Sequence, residues 1–238
     1  MEYSKEFKQA LSAFTPAEKD KLIFRLLKKD KILSQKLYFE LIDPENTDDK
    51  RIKMETYIVQ AVAQAAKNHR NPKLFLQLIR KISAAITEHV KITTDKFGEV
   101  SLNLLLISEV LKQPQRYGDT HKLHIYLLNK ILRMLTLTIK LDPDYYIDLA
   151  ELYGLISDQL TANTQLNSLS NHIGLNPDWL EPDFIPENIA DTYRSIKKPR
   201  TTPIKFCLLS TGWHLAARLQ IWLHSLPFRG PWQDFEGV

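Results

Sequence analysis

Two histidines, His121 and His124, have a spacing that could serve a metal site. Side chains three residues apart lie on one face of a helix, so both imidazoles could bind one metal ion. A zinc site needs three or four protein ligands, and no third ligand is evident in the neighbouring sequence. The simpler interpretation is two surface histidines near a helix start. We therefore expect no bound metal, with a metal-dependent enzyme using this pair as an alternative.

An acidic row follows about twenty residues later. Asp144, Asp148 and Glu151 have the spacing of residues on one face of a helix. Such a row could bind a cation or a basic partner. It is also typical of a solvated face near the positive end of the helix dipole, where carboxylates are favourable. The row is a candidate interaction surface rather than a catalytic site.

Aromatic residues surround this acidic row. The set consists of Tyr145, Tyr146, Tyr153, Trp179 and Phe184. Aromatic side chains on helices usually belong to the core, and in repeat proteins they also line grooves that bind partners. We expect core positions here, with Tyr145 and Trp179 as candidate interaction residues.

Familiar catalytic and nucleotide-binding motifs are absent from the sequence. It contains no G-x-x-x-x-G-K-[ST], G-x-G-x-x-G, G-x-S-x-G or H-E-x-x-H, and no His has a Glu three residues before it. Cys207 has His214 seven residues later, but a lone Cys in an apolar run is typical of a small buried hydrophobe. We therefore expect a non-enzymatic protein with no catalytic residues and no cofactor.

Helices must position these candidate residues. Gly is scarce, at seven residues, which argues against the many tight turns of an all-β fold. Four pairs place a capping side chain before proline, and each predicts a helix start: Thr15-Pro16, Asn71-Pro72, Asp142-Pro143 and Asn176-Pro177. The first pair also completes a capping box with Glu18.

Apolar residues recur at three and four positions between these starts. The stripes include Leu22, Ile23, Leu26 and Leu27, then Leu104, Ile107 and Leu111, and later Ile147, Leu149, Leu152, Ile156 and Leu160. This period is helical, and no segment alternates in the manner of a strand. The pattern predicts an all-α fold of about eight helices through residue 172, arranged as a bundle or a short α-solenoid of antiparallel helical hairpins.

Residues 15–180 resemble a family of uncharacterised, all-helical bacterial proteins known as a domain of unknown function. The strings that carry this resemblance are TPAEKDKLIFRLLKKDKILSQKLYFELI, ITEHVKITTDKFGEVSLN and HIGLNPDWLEPDF. The resemblance implies a compact helical domain and assigns no catalytic residue.

An internal echo lies within residues 141–180. The string LDPDYY, from Leu141, returns as LNPDWL 34 residues later. This spacing is the period of tetratricopeptide helix pairs, and LDPDYYIDLAELYGLI resembles the start of such a repeat. The alternative is a common helix-entry string that occurs twice.

Charge is unevenly distributed along the chain. Residues 1–191 contain 25 Lys/Arg and 26 Asp/Glu, whereas residues 192–238 contain 7 and 2. The segment from Arg194 to Lys205, which includes Lys197, Lys198 and Arg200, is basic and holds two prolines. It is typical of an extended linker. Such a segment could bind nucleic acid or an anionic surface.

The apolar run 206–226 follows the basic segment. Only twelve residues separate Lys205 from Arg218, about 18 Å of helix, and a bilayer core is about 30 Å thick. A transmembrane span is therefore not expected. Three interpretations remain open: a helix packed on the body, a segment at a membrane or partner surface, or a non-native extension.

These observations predict an all-helical domain at 1–190, a basic linker at 191–205 and an apolar, aromatic extension at 206–238. The N-terminal segment MEYSKEFKQALSAF has no apolar stretch typical of a secretory signal, and there is one Cys, so we expect a cytoplasmic protein. The favoured function is a protein-interaction or scaffold module of unknown partner. Binding of nucleic acid or an anionic surface through 194–205, and the metal-dependent enzyme, are the alternatives.

Overall fold

The computed structural model describes residues 3–68, 70–114 and 120–197. These residues form ten α-helices and three short 3-10 helices, and no strand occurs among them. The α-helices are α1 (Lys5–Ser12), α2 (Pro16–Lys29), α3 (Lys31–Leu41), α4 (Thr47–Ala66), α5 (Pro72–Thr93), α6 (Lys96–Leu111), α7 (His121–Thr138), α8 (Tyr146–Ala162), α9 (Thr164–Ile173) and α10 (Ile189–Lys197). The 3-10 helices are Pro143–Tyr145, Pro177–Leu180 and Pro182–Phe184. The predicted all-α fold class is confirmed, and the choice between bundle and solenoid stays a prediction.

Two of the four predicted helix starts begin long α-helices. At α2 the Thr15 hydroxyl accepts from the Glu18 N–H, and the Glu18 carboxylate accepts from the Thr15 N–H at 2.9 Å. At α5 the Asn71 side chain accepts from the Leu74 N–H at 3.1 Å. Each cap satisfies a backbone donor that the first helical turn leaves unpaired.

The other two starts begin 3-10 turns. The Asp142 and Asn176 side chains accept from the N–H two residues later, a shorter loop that closes the tighter turn. After Asp142 the chain continues into α8. After Asn176 the helix that starts is the short 3-10 helix Pro177–Leu180, and no α-helix follows directly, because Pro182 forces Glu181 into an extended conformation.

The core lies where α4 to α8 pack together, with α6 at the centre. This helix contacts α4, α5, α7 and α8. Its residues 100–104 are all buried, and five consecutive residues cover every side of a helix with 3.6 residues per turn. A helix that is apolar on most sides is typical of a buried position. The single apolar stripe that includes Leu104 and Ile107 predicted burial of one side of α6 only.

The first three helices lie outside the core. No residue of α1, α2 or α3 is buried. The predicted stripe of α2 is only half covered: Leu22 and Leu27 are partly buried, whereas Ile23 and Leu26 expose 47% and 50% of their surface. Helix α2 packs on α3 and α3 packs on α5, so α3 connects α2 to the core.

Helix α10 crosses the domain boundary predicted between residues 190 and 191. It packs on α7, with Ile189 buried and with Tyr193 and Ile196 against the core. These three positions recur at helical spacing, so residues 191–197 are helical rather than an extended linker. The rest of the predicted linker, 198–205, and the extension 206–238 lie outside the described residues. Among the helices that are described, none combines the length and apolar character needed to cross a membrane.

Candidate functional site

The predicted acidic row begins just before α8 and continues along its exposed side. The Asp142 carboxylate accepts from the Asp144 N–H at 3.2 Å, which fixes the turn into the helix. Asp144, Asp148 and Glu151 are all exposed. No ion pair found among the described residues includes any of these three. The three carboxylates are therefore exposed to solvent, which agrees with both interpretations that their spacing allowed.

The row belongs to a longer acidic segment of the chain. Residues 142–191 contain ten Asp/Glu and no Lys or Arg, a net charge of −10. Residues 1–141 contain 25 Lys/Arg and 16 Asp/Glu, a net charge of +9. The two charges nearly cancel over residues 1–191, so the net charge of that range does not reveal the acidic segment.

The structure brings distant parts of this acidic segment together. A cleft of about 440 Å³ lies between the middle of α8 and the two 3-10 helices at 177–184, and Asp158, Asp178 and Asp183 line it. An adjoining cleft of about 470 Å³ is lined by Asp144, Ile147 and again Asp183. Asp148 and Glu151 are exposed on α8 and line neither cleft. We call these two residues, together with Asp144, Asp158, Asp178 and Asp183, the acidic face.

Two large apolar side chains lie exposed beside these carboxylates. Ile147, in the wall of the second cleft, exposes 84% of its surface although its sequence stripe predicted burial. Leu149, from the same stripe, is fully buried. Phe184 exposes 65% and directly follows Asp183. Ile147 precedes the first buried residue of α8, and its side chain lies on a side of the helix that does not face α6.

The predicted aromatic cluster divides between core and surface. Tyr153 is fully buried, as expected, and Trp179 is partly buried against the core. Tyr145 is exposed at 43%, with its ring centroid 4.9 Å from that of Phe97. The core prediction is thus wrong for Tyr145 and Phe184, which lie at 3-10 helices outside the packed faces of the α-helices.

The histidine pair lies in a separate cleft of about 640 Å³ between α7 and α9. His121 is exposed, whereas His124 is only 3% exposed, so its predicted surface position is wrong. Burial and the neighbouring His121 hold the pKa of His124 below its usual range. His172 lines the same cleft. In residues 3–68, 70–114 and 120–197, no three His, Cys, Asp or Glu side chains are arranged to hold a metal ion.

The basic candidate residues are only partly within the described chain. Arg194 is exposed on α10, with Nη1 2.9 Å from Asp191 Oδ1. Lys197 ends α10. Lys198, Arg200, Cys207 and His214 lie outside the described residues, so the basic surface predicted for 194–205 stays a prediction.

Comparisons with known proteins give no family for this chain. Two hypotheses from the sequence stay hypotheses: the resemblance of residues 15–180 to a helical domain of unknown function, and the tetratricopeptide-like echo. The chain matches no protein-family model, no curated protein and no solved structure.

Proposed function

We propose that this protein is a non-enzymatic helical interaction module whose acidic face binds a basic, partly apolar segment of another protein. One observation carries the proposal: carboxylates without ion-pair partners in the described chain surround two clefts, and the exposed Ile147 and Phe184 lie beside them. The acidic residues and Tyr145 that the sequence marked as an interaction surface belong to this region.

Charge and apolar contact would have different roles in such binding. A concentration of like charge steers an oppositely charged partner and raises its association rate. Each exposed ion pair adds only about 0–1 kcal/mol, so charge alone gives little affinity. Full burial of an Ile side chain contributes about 1.5–3 kcal/mol. Ile147 and Phe184 are therefore the expected anchors, and the carboxylates are expected to select basic partners.

The dimensions of the clefts define the partner more closely. Two adjoining clefts of about 440 and 470 Å³ share Ala150, Pro182 and Asp183 in their walls. They are small and open between carboxylates, which suits a short segment that inserts one or two side chains. A peptide with alternating Lys and Leu residues has both the charge and the apolar side chains for this surface.

The test measures binding of a labelled synthetic Lys/Leu peptide to the full chain by fluorescence anisotropy. Replacing Asp144, Asp148 and Asp183 together with Asn should weaken binding about tenfold, because three contacts of about 0.5 kcal/mol are lost. Ile147→Ser should weaken it about fivefold or more through lost apolar burial. Both effects should appear as a higher Kd. Added salt should reduce the effect of the three Asp→Asn replacements and leave that of Ile147→Ser.

Matched variants lie elsewhere on the surface. Ile42→Ser removes another isoleucine that is 66% exposed, and Glu88→Gln removes an exposed carboxylate from α5. Both should change the Kd less than twofold. The proposal is wrong if a Glu/Leu peptide of the same length binds equally well, or if these control variants weaken binding as much as the acidic-face variants.

A further inference from the structure

Helix α2 leaves an apolar side exposed at the surface of the domain. Ile23, Phe24 and Leu26 expose 47%, 63% and 50% of their surface. No residue of α2 is buried, and the helix packs on α3. Single exposed apolar side chains are normal on a protein surface, whereas a group of them on one helix is typical of a surface that contacts a partner.

The same helix is rich in basic side chains. Residues 16–29 contain five Lys/Arg and two Asp/Glu, a net charge of +3. All five basic residues are exposed, and none belongs to an ion pair found among the described residues. Lys19, Ile23 and Leu26 have spacings of four and three, so a cation and two apolar side chains share one face. This face therefore combines positive charge with apolar surface.

The acidic face has the complementary combination. Its carboxylates also have no ion-pair partner in the described chain, and the exposed Ile147 and Phe184 lie beside them. The chain around them, residues 142–191, has a net charge of −10. Opposite charges steer two surfaces together, and apolar contact supplies affinity. Helix α2 thus has the basic and partly apolar character that the acidic face requires of a partner.

The two surfaces do not cover each other within one chain. Helix α2 packs on α3, whereas α8 packs on α6, α9 and the 3-10 helices. Ile23 and Leu26 on one surface and Ile147 on the other are all exposed in the same folded domain. The acidic face can therefore receive α2 only from a second molecule.

We propose that a second copy of this chain is a partner of the acidic face, and that the exposed side of α2 is the segment that docks there. The basic side chains of α2 lie against the carboxylates, and its apolar side covers Ile147 and Phe184. This inference rests on the proposed function, because it names a partner of the same face.

Such a contact joins two different surfaces of the chain. A contact of this kind is head to tail, so it adds further copies until a ring closes or an open chain grows. One face of a 14-residue helix, about 21 Å long, is smaller than the roughly 800 Å² per partner of a standard interface. We therefore expect weak, reversible association that increases with protein concentration.

Sedimentation velocity of the full chain over a concentration series tests the proposal. The average mass should rise with concentration and fall when salt is added. A variant with Lys19→Gln, Ile23→Ser and Leu26→Ser should associate at least about tenfold more weakly. The three Asp→Asn replacements of the acidic face, made in a separate chain, should have a similar effect.

Mixing these two variants tests the head-to-tail arrangement. Each has one intact surface, so an equal mixture should form a 1:1 complex at a concentration where either variant alone is monomeric. A matched control carries Lys81→Gln, Ile52→Ser and Val59→Ser, all at exposed positions on α4 and α5. Its association should change less than twofold.

A peptide of residues 15–29 gives a second measurement that needs only the unmodified chain. It should displace the labelled Lys/Leu peptide from the acidic face. The same peptide with the three α2 replacements should displace it at least about tenfold more weakly. This result does not depend on whether any variant of the full chain folds.

The outcomes separate this inference from the proposed function. Failure of the Lys/Leu peptide to bind the acidic face contradicts the proposed function. If that peptide binds but the full chain keeps one mass at every concentration, only the second-copy inference is wrong.

Three further results would overturn the second-copy inference. The first is association that the acidic-face variant leaves unchanged, with no 1:1 complex in the mixture, as a symmetric contact of α2 with α2 would give. The second is an equal loss of association in the matched control. The third is a 15–29 peptide that binds anionic lipid vesicles and does not displace the Lys/Leu peptide, which would assign α2 to a membrane surface instead.

Discussion

The hydroxyl oxygens of Tyr153 and Thr138 lie 2.7 Å apart in the core and join α8 to the last turn of α7. The Thr138 hydroxyl also lies 3.0 Å from the Met134 carbonyl oxygen, which can only accept. Thr138 therefore donates to Met134, and Tyr153 donates to Thr138. Burial raises the pKa of the Tyr153 phenol well above its usual range, so the phenol remains a donor.

This arrangement predicts unequal effects of removing either partner. Tyr153→Phe should lower the free energy of unfolding by about 0.5–1.5 kcal/mol, since it removes one hydrogen bond and leaves Thr138 bonded to Met134. Thr138→Val should cost more, about 1–3 kcal/mol, because the buried phenol loses its acceptor. Urea denaturation measures both. Thr161→Val, an exposed control with a hydroxyl 3.2 Å from the Ser157 carbonyl, should cost little. A smaller cost for Thr138→Val than for Tyr153→Phe would contradict the assignment.

Two helical glycines should respond in opposite directions to alanine. A methyl group at Gly98 would collide with the Asp95 carboxylate, which accepts from the Gly98 N–H at 2.8 Å and from Arg51 Nε at 2.9 Å. Displacing this cap should cost about 1–2 kcal/mol. At Gly154 nothing lies within 4 Å of the added methyl. Gly154→Ala should therefore gain up to about 1 kcal/mol through helix propensity. Thermal melts of the two variants test this, and a stabilising Gly98→Ala would disprove the capping account.

Lys130 should destabilise the fold at neutral pH. Its Nζ lies 2.6 Å from Ser83 Oγ, and burial, with nearby Arg133, lowers its pKa from 10.5 to about 8, against the opposing effect of Glu99. Below pH 8 the folded state must bury a charge. Between pH 8 and 10.5 Lys130 loses its proton in the folded state but keeps it in the unfolded state, so the free-energy penalty of the buried charge decreases.

Lys130→Met should therefore raise the free energy of unfolding at pH 7 by about 1–3 kcal/mol. The gain should shrink as pH rises from 8 towards 10. Urea denaturation at a series of pH values measures it, with the exposed Lys122→Met as control. A gain that stays constant to pH 10 would show that the lost charge is not its cause.

Removal of residues 198–238 should leave a cooperative fold. The buried side chains of α4 to α8 and the contact of α10 with α7 all lie before residue 198. We expect a helical protein with a single melting transition and better solubility, because the removed segment is rich in Leu and Trp. Circular dichroism and size-exclusion chromatography compare it with the full chain. Loss of the cooperative melt would show that the core extends beyond residue 197.

The same truncation tests the nucleic-acid alternative. Residues 142–191, at −10, should repel phosphates, whereas the basic segment from 194 contains five Lys/Arg in twelve residues. The truncated protein should not bind DNA at physiological salt, and any binding by the full chain should fall steeply with salt. A gel shift measures both. Submicromolar binding by the truncated protein would place a DNA site on residues 1–197.

The sequence alone was sufficient for features that depend on neighbouring residues. The capping box at Thr15 and the cap at Asn71 were predicted because the acceptor and donor lie three residues apart, within one turn. The helical period of the apolar residues predicted the all-α class for the same reason. The lack of Lys and Arg in residues 142–191 can also be read from the sequence, although the net charge of residues 1–191 does not reveal it.

Only the tertiary structure decided which helical faces become buried. The stripe that includes Ile147 and Leu149 has one period, yet Leu149 is fully buried and Ile147 is 84% exposed. Burial depends on which helices pack against a face, and helix α6, which contacts α8, is remote in sequence. Likewise Gln35 and His89 meet in one cavity although 54 positions separate them in the sequence. Contacts between distant residues follow from the packing of whole helices, which no local pattern specifies.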